Sequence, residues 1–101
     1  MLEYNLKCGT IMENTYGDYM IILSSARKHG ISDKDMETVL TDPYIIAKLR
    51  EEPKKLLFLG FDSKARAIEV ITDTGSNGQV FVIHADRITK SNEKLLNEVL
   101  V

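Results

Sequence analysis

A chain of 101 residues with a net charge of −2 is sized for one hydrophobic core, so a single domain over 1–101 is expected, needing no metal or disulfide staple. A hydrophobic fraction of 44% beside 28% charged residues excludes wholesale disorder. The near balance of charge signs excludes a protein that coats nucleic acid through many Lys/Arg–phosphate contacts.

Residues 1–14 mix short apolar pairs with Asn, Gly and Lys and keep no period, so they read as an uncertain N-terminal extension, with Met12 an alternative start. Cys8, the only cysteine, cannot form an internal disulfide, which points to a reducing compartment and hence the cytoplasm. The first residues lack a secretory pattern, and the apolar run Tyr19–Leu23 is far short of the ~20 residues that span a bilayer.

From Asp18 onward a helical period emerges. Tyr19, Ile22, Leu23 and Ala26 fall at i, i+3, i+4 and i+7, and Gly30 is a natural stop. Arg27, Lys28 and His29 would then occupy the last turn, where positive charge complements the dipole. A second helix is signalled by Ser32 as N-cap, by Asp33 and Asp35 in the first turn, and by Ile31 and Met36 at staple spacing. Met36, Val39 and Leu40 continue its apolar face, and Pro43 ends it near Thr41. The sequence after Pro43 reads as a meander of strands over 44–50, 55–61, 66–72 and 79–85, joined by turns at 51–53, 62–64 and 73–78. Connections this short require antiparallel pairing. Leu95, Leu96, Val99 and Leu100 make one face of a C-terminal helix, with Ser91 as its cap. The expected fold is therefore α+β: two N-terminal helices on a four-stranded antiparallel meander, closed by a last helix.

Both faces of this sheet carry apolar residues. Leu56 and Phe58 oppose Leu57, Leu59 and Phe61, while Val80 and Val82 oppose Phe81, Ile83 and Ala85. The early helices can cover one face. The other needs the last helix, a second copy or a partner protein, so a homo- or hetero-oligomer is expected. Charge is uneven too: Lys48, Arg50, Lys54, Lys55, Lys64 and Arg66 outweigh Glu51, Glu52 and Asp62 in the middle of the chain. That stripe is either a solvated edge that resists aggregation or a phosphate-facing surface.

No dinucleotide fingerprint, P-loop, zinc-protease motif or EF-hand loop occurs, and no cofactor or metal is expected. Gly75-Ser76-Asn77-Gly78 precedes a strand and reads as a hairpin turn rather than a phosphate cradle. The chemistry-bearing group that remains is His84, Arg87 and Lys90 at the exit of the last strand. Hairpin pairing brings Lys64 and Arg66 towards the same end. A histidine could move a proton there and an arginine could stabilise a phosphate. The competing reading is a set of exposed polar residues at a strand terminus.

The run Ala26-Arg27-Lys28-His29-Gly30-Ile31-Ser32, followed by Asp35-Met36, Val39-Leu40 and Asp42-Pro43, resembles the opening of BrnT-type toxins. Leu57-Phe58-Leu59-Gly60, Ala65-Arg66-Ala67-Ile68-Glu69-Val70 and Val82-Ile83-His84-Ala85-Asp86-Arg87 resemble three of that family's strands. The likeness covers roughly residues 24–90. It implies a RelE-like fold and a toxin of a type II toxin–antitoxin module, partnered by an antitoxin and acting on RNA or the ribosome. Such toxins are metal-independent endoribonucleases that inhibit translation. Position by position, Arg66 and Arg87 match the family's basic strand positions and His84 its serine or histidine position. These three are therefore the expected catalytic residues, with Lys64 and Lys90 expected as RNA-binding residues at the rim. The alternatives are a non-catalytic interaction domain on the same fold, or a structural or phage accessory protein.

Overall fold

In the computed structural model, which describes residues 10–13 and 19–100, the element order is β1 (Thr10–Glu13), β2 (Tyr19–Ile22), α1 (Ser24–Arg27), α2 (Asp33–Thr41), β3 (Ile45–Arg50), β4 (Lys55–Phe61), β5 (Ala67–Thr74), β6 (Val80–Arg87) and α3 (Lys90–Leu100). The expected four-strand meander is present as β3 to β6, in antiparallel register throughout. It is part of a larger sheet of six strands, ordered β1-β2-β6-β5-β4-β3. Because β2 runs parallel to β6, the sheet is mixed rather than wholly antiparallel.

The largest correction concerns residues 19–23. The helix expected from Tyr19 is a strand until Ile22, and only Ser24–Arg27 forms a helical turn. An unbroken run of Tyr, Met, Ile, Ile and Leu satisfies helical spacing and a buried strand equally well. β-Branched Ile21 and Ile22 fit the strand, and the edge of β6 supplies the partner, pairing Met20 with Val80 and Ile22 with Val82. The extension proposed over 1–14 lies largely outside the described residues; within it, Thr10–Glu13 pairs antiparallel with β2.

The second helix is as the sequence predicts. The Ser32 hydroxyl accepts from the Asp35 amide at 3.1 Å, and Met36, Val39 and Leu40 are buried. They pack with Ala26 on one sheet face, against Ile22, Phe58, Ile68, Val70, Val82 and Ala85. Gly60 lets α2 approach: a Cβ there would stand 3.4 Å from Val39 Cγ1.

The opposite face is covered by α3, through Leu96 with Leu95 and Ile88, against Leu57, Leu59, Ile71 and Phe61. The helix begins at Lys90, with the Glu93 amide donating to the Thr89 carbonyl at 2.8 Å, so Ser91 lies inside it and is not its cap. One further correction bears on function. The β5–β6 register shifts, so that Ile71 faces His84 while Thr72 faces Val82, leaving Ile83 as an extra residue. This bulge moves Ala85 onto the face of Val82, not that of Phe81.

Candidate functional site

β2 stops beside Val82, and the edge of β6 beyond it is taken over by α1. The Leu23 amide donates to the Val82 carbonyl at 3.0 Å, and Ser25 Oγ donates to the carbonyl of the bulged Ile83 at 2.8 Å. The chain then passes around this edge, turning at Gly30, whose φ of 78° suits glycine. His29, just before that turn, comes to the second face of the sheet.

There it meets His84. The bulge has turned His84 to the face of Ile71, next to Glu69 and Asp86, which stand opposite each other in β5 and β6. The two imidazole rings meet edge to face, with centroids 5.7 Å apart and planes at 69°. Each ring has a carboxylate: His84 Nε2 is 2.9 Å from Glu69 Oε2, and His29 Nδ1 is 3.5 Å from Asp86 Oδ2. The His29 and His84 side chains remain 35% and 28% exposed, whereas Glu69 is only 4% exposed.

Glu69 is the anomaly in an apolar strand. Its neighbours Ile68 and Val70 are fully buried on the first face. The Glu69 carboxylate closes the gap between β5 and α3, its Oε1 accepting from the Thr89 amide at 2.7 Å and from Asn92 Nδ2 at 3.1 Å. Burial pushes its pKa up, but the hydrogen bonds from Thr89, Asn92 and His84 outweigh burial and hold it below the ordinary value.

The residues expected at the site separate. Arg66 and Arg87 share one end of the sheet, where the Ile88 amide donates to the Ala67 carbonyl. Arg87 stands beside Ile68 on the first face, across the sheet from His84. Arg66 precedes β5, and its guanidinium is held by Asp62 at 2.7 Å. Asp62 also accepts from the Lys64 and Arg66 amides. Burial raises the Asp62 pKa, yet these bonds bring it below the ordinary value. Lys64 belongs to this turn, and Lys90 opens α3, where it lines an open hollow with Glu93, Lys94, Asn97 and Glu98. Of the residues proposed as catalytic, only His84 enters the imidazole–carboxylate cluster.

Sequence reasoning missed His29, Glu69 and Asp86. His29 had a sufficient explanation at a helix terminus, and the bulge that brings His84 round cannot be read from residue order. Glu69 did leave a trace: a carboxylate in the middle of an apolar strand demands buried partners. Among the described residues, no three His, Cys, Asp or Glu side chains are arranged to hold a metal ion, and no helix is long and apolar enough to cross a membrane. Comparison with protein families, characterised proteins and solved structures returns no match.

Proposed function

We propose that this chain is a cytoplasmic toxin of the type II toxin–antitoxin kind, similar to the BrnT group, that cleaves RNA with its own side chains and is restrained by a protein antitoxin. The observation that carries the reading is the pair of partly exposed imidazoles, His29 and His84, each backed by a carboxylate and 5.7 Å apart. In-line cleavage of RNA needs two proton transfers. A base takes the 2′-OH proton as O2′ bonds to phosphorus; an acid protonates O5′ as the P–O5′ bond breaks. The products are a 2′,3′-cyclic phosphate and a 5′-OH. Two imidazoles side by side, each beside a carboxylate, suit these roles, each worth roughly 10²–10⁴ in rate. Exposed Lys28, next to His29 in the chain, supplies a cation for phosphate.

The test is expression of the chain alone, followed by incubation of the purified protein with a defined RNA oligonucleotide. Growth arrest and cleavage leaving cyclic phosphate ends are expected, with a 2′-O-methylated oligonucleotide inert. His29→Ala and His84→Ala should each lower cleavage by about 10²–10⁴ without unfolding the protein. Normal growth with intact RNA, or undiminished cleavage by both variants, would overturn the reading.

A second reading, an interaction domain without catalysis, is favoured by the outer edge of β3. Tyr44, Ile46 and Leu49 there are 51%, 55% and 49% exposed, and an unpaired strand edge is a template for strand addition. Under this reading the edge binds a partner and both histidine variants behave like the parent chain.

A further inference from the structure

We infer that Glu69 is the positioning residue of the imidazole pair: it holds His84 with the proton on Nε2, so that Nδ1 is the proton acceptor, and it ties this ring to the start of α3. The inference rests on the acid–base reading of the cluster, and it also assigns the two histidines different roles.

The two oxygens of Glu69 divide the work. Oε1 faces only donors, the Thr89 amide and Asn92 Nδ2, so it acts as an acceptor. Oε2 lies 2.9 Å from His84 Nε2. An ionised carboxylate accepts and cannot donate, and the depressed pKa of Glu69 keeps it ionised at neutral pH. The hydrogen in this contact must therefore come from the ring. A neutral imidazole carries one N–H, so fixing it on Nε2 leaves the Nδ1 lone pair open. His29 is turned the other way. Its Nδ1 points to Asp86 at 3.5 Å, which leaves Nε2 as its outward nitrogen. In RNA cleavage, His84 Nδ1 takes the 2′-OH proton, and protonated His29 delivers one from Nε2 to the leaving O5′. Asp86 balances the charge on His29 in that form. Because one carboxylate serves both His84 and the α3 terminus, the base is oriented only while α3 is docked.

The ring nitrogen shifts of ¹⁵N-labelled protein, recorded where the imidazole is neutral, test this without any substrate. The parent chain should show His84 protonated on Nε2. In Glu69→Gln the amide oxygen keeps the Thr89 and Asn92 donors, and its NH₂ faces His84, which must then accept at Nε2. The His84 tautomer should invert, and cleavage should fall by about 10²–10⁴, as expected for a base with its proton on the wrong nitrogen. A parent His84 protonated on Nδ1, or a variant whose tautomer is unchanged, would overturn the assignment. The parent-chain measurement stands even where the variant fails to fold. Tautomer inversion with no cleavage by the parent chain upholds the hold of Glu69 on His84 and overturns the RNA reading alone.

Discussion

The two faces of the sheet are built on different terms. Under α1 and α2, the interface is apolar and closed: Ile22, Ala26, Met36, Val39, Ile68, Val70 and Val82 are fully buried, with no charge among them. Under α3, Leu96 is the one buried residue of the helix, and its outer positions Val99 and Leu100 are exposed. Leu95 packs beside Leu96 only partly buried, and a carboxylate, Glu69, ties down the start of the helix. Apolar packing is non-directional and makes a firm base. A hydrogen-bonded carboxylate is directional, so it can hold a ring in a chosen orientation while fastening a helix. The closed apolar core and the imidazole–carboxylate cluster are thus separated across one sheet, and the cluster sits on the more lightly packed side.

Truncation on each face is the strongest way to break this comparison. Met36→Ala should cost about 2–5 kcal/mol, read from urea unfolding. Leu96→Ala should fall at or below the low end of that range, because α3 buries little else and can settle into the gap. If Leu96→Ala proved the more costly of the two, the faces would not differ as described.

Acid should act next, and on one face first. Glu69 and Asp62 have folded pKa values below their ordinary ones. The stability each supplies is therefore present above the unfolded pKa and lost as pH falls through the lower folded value. Asp33 is also lowered, by its hydrogen bond from Arg27, but this pair is only half-buried and partly screened by solvent. Amide exchange followed from neutral pH to below about pH 4 should show α3 loosening before α2. Simultaneous loosening would count against Glu69 as the fastening of α3.

The smallest effect sharpens the other side. Ser32→Ala removes the cap of α2, whose hydroxyl accepts from the Asp35 amide. It should lower stability by ~1 kcal/mol while leaving the proposed RNA cleavage per folded molecule unchanged. A cleavage defect at unaltered melting temperature would mean that this corner takes part in the chemistry.

Elements whose signals are local were legible. Ser32, Pro43 and the Met36–Val39–Leu40 stripe describe α2 within its own residues, and the alternation in 55–61 assigns Leu57 and Leu59 to one face and Phe58 to the other, as found. The meander from β3 to β6 follows from turns too short for crossovers. Tyr19–Ile22 was not legible, because a solid apolar run takes its conformation from whatever edge receives it. The sequence grouped His84 with Arg66 and Arg87, which share its end of the sheet but do not join its imidazole–carboxylate cluster.

What the chain determines by itself is what short-range forces decide: the cap and stripe of α2, the order of the meander strands, and a sheet apolar on both sides. What only the tertiary structure decided is where the side chains with chemistry meet. One extra residue at Ile83 turns His84 to the second face, and α1, sealing the β6 edge, leads His29 round to it. Side-chain direction in a strand alternates with every residue, so a single bulge reverses it for all that follows. That reversal depends on the register with β5, which is set by long-range packing and has no counterpart in the order of residues along β6.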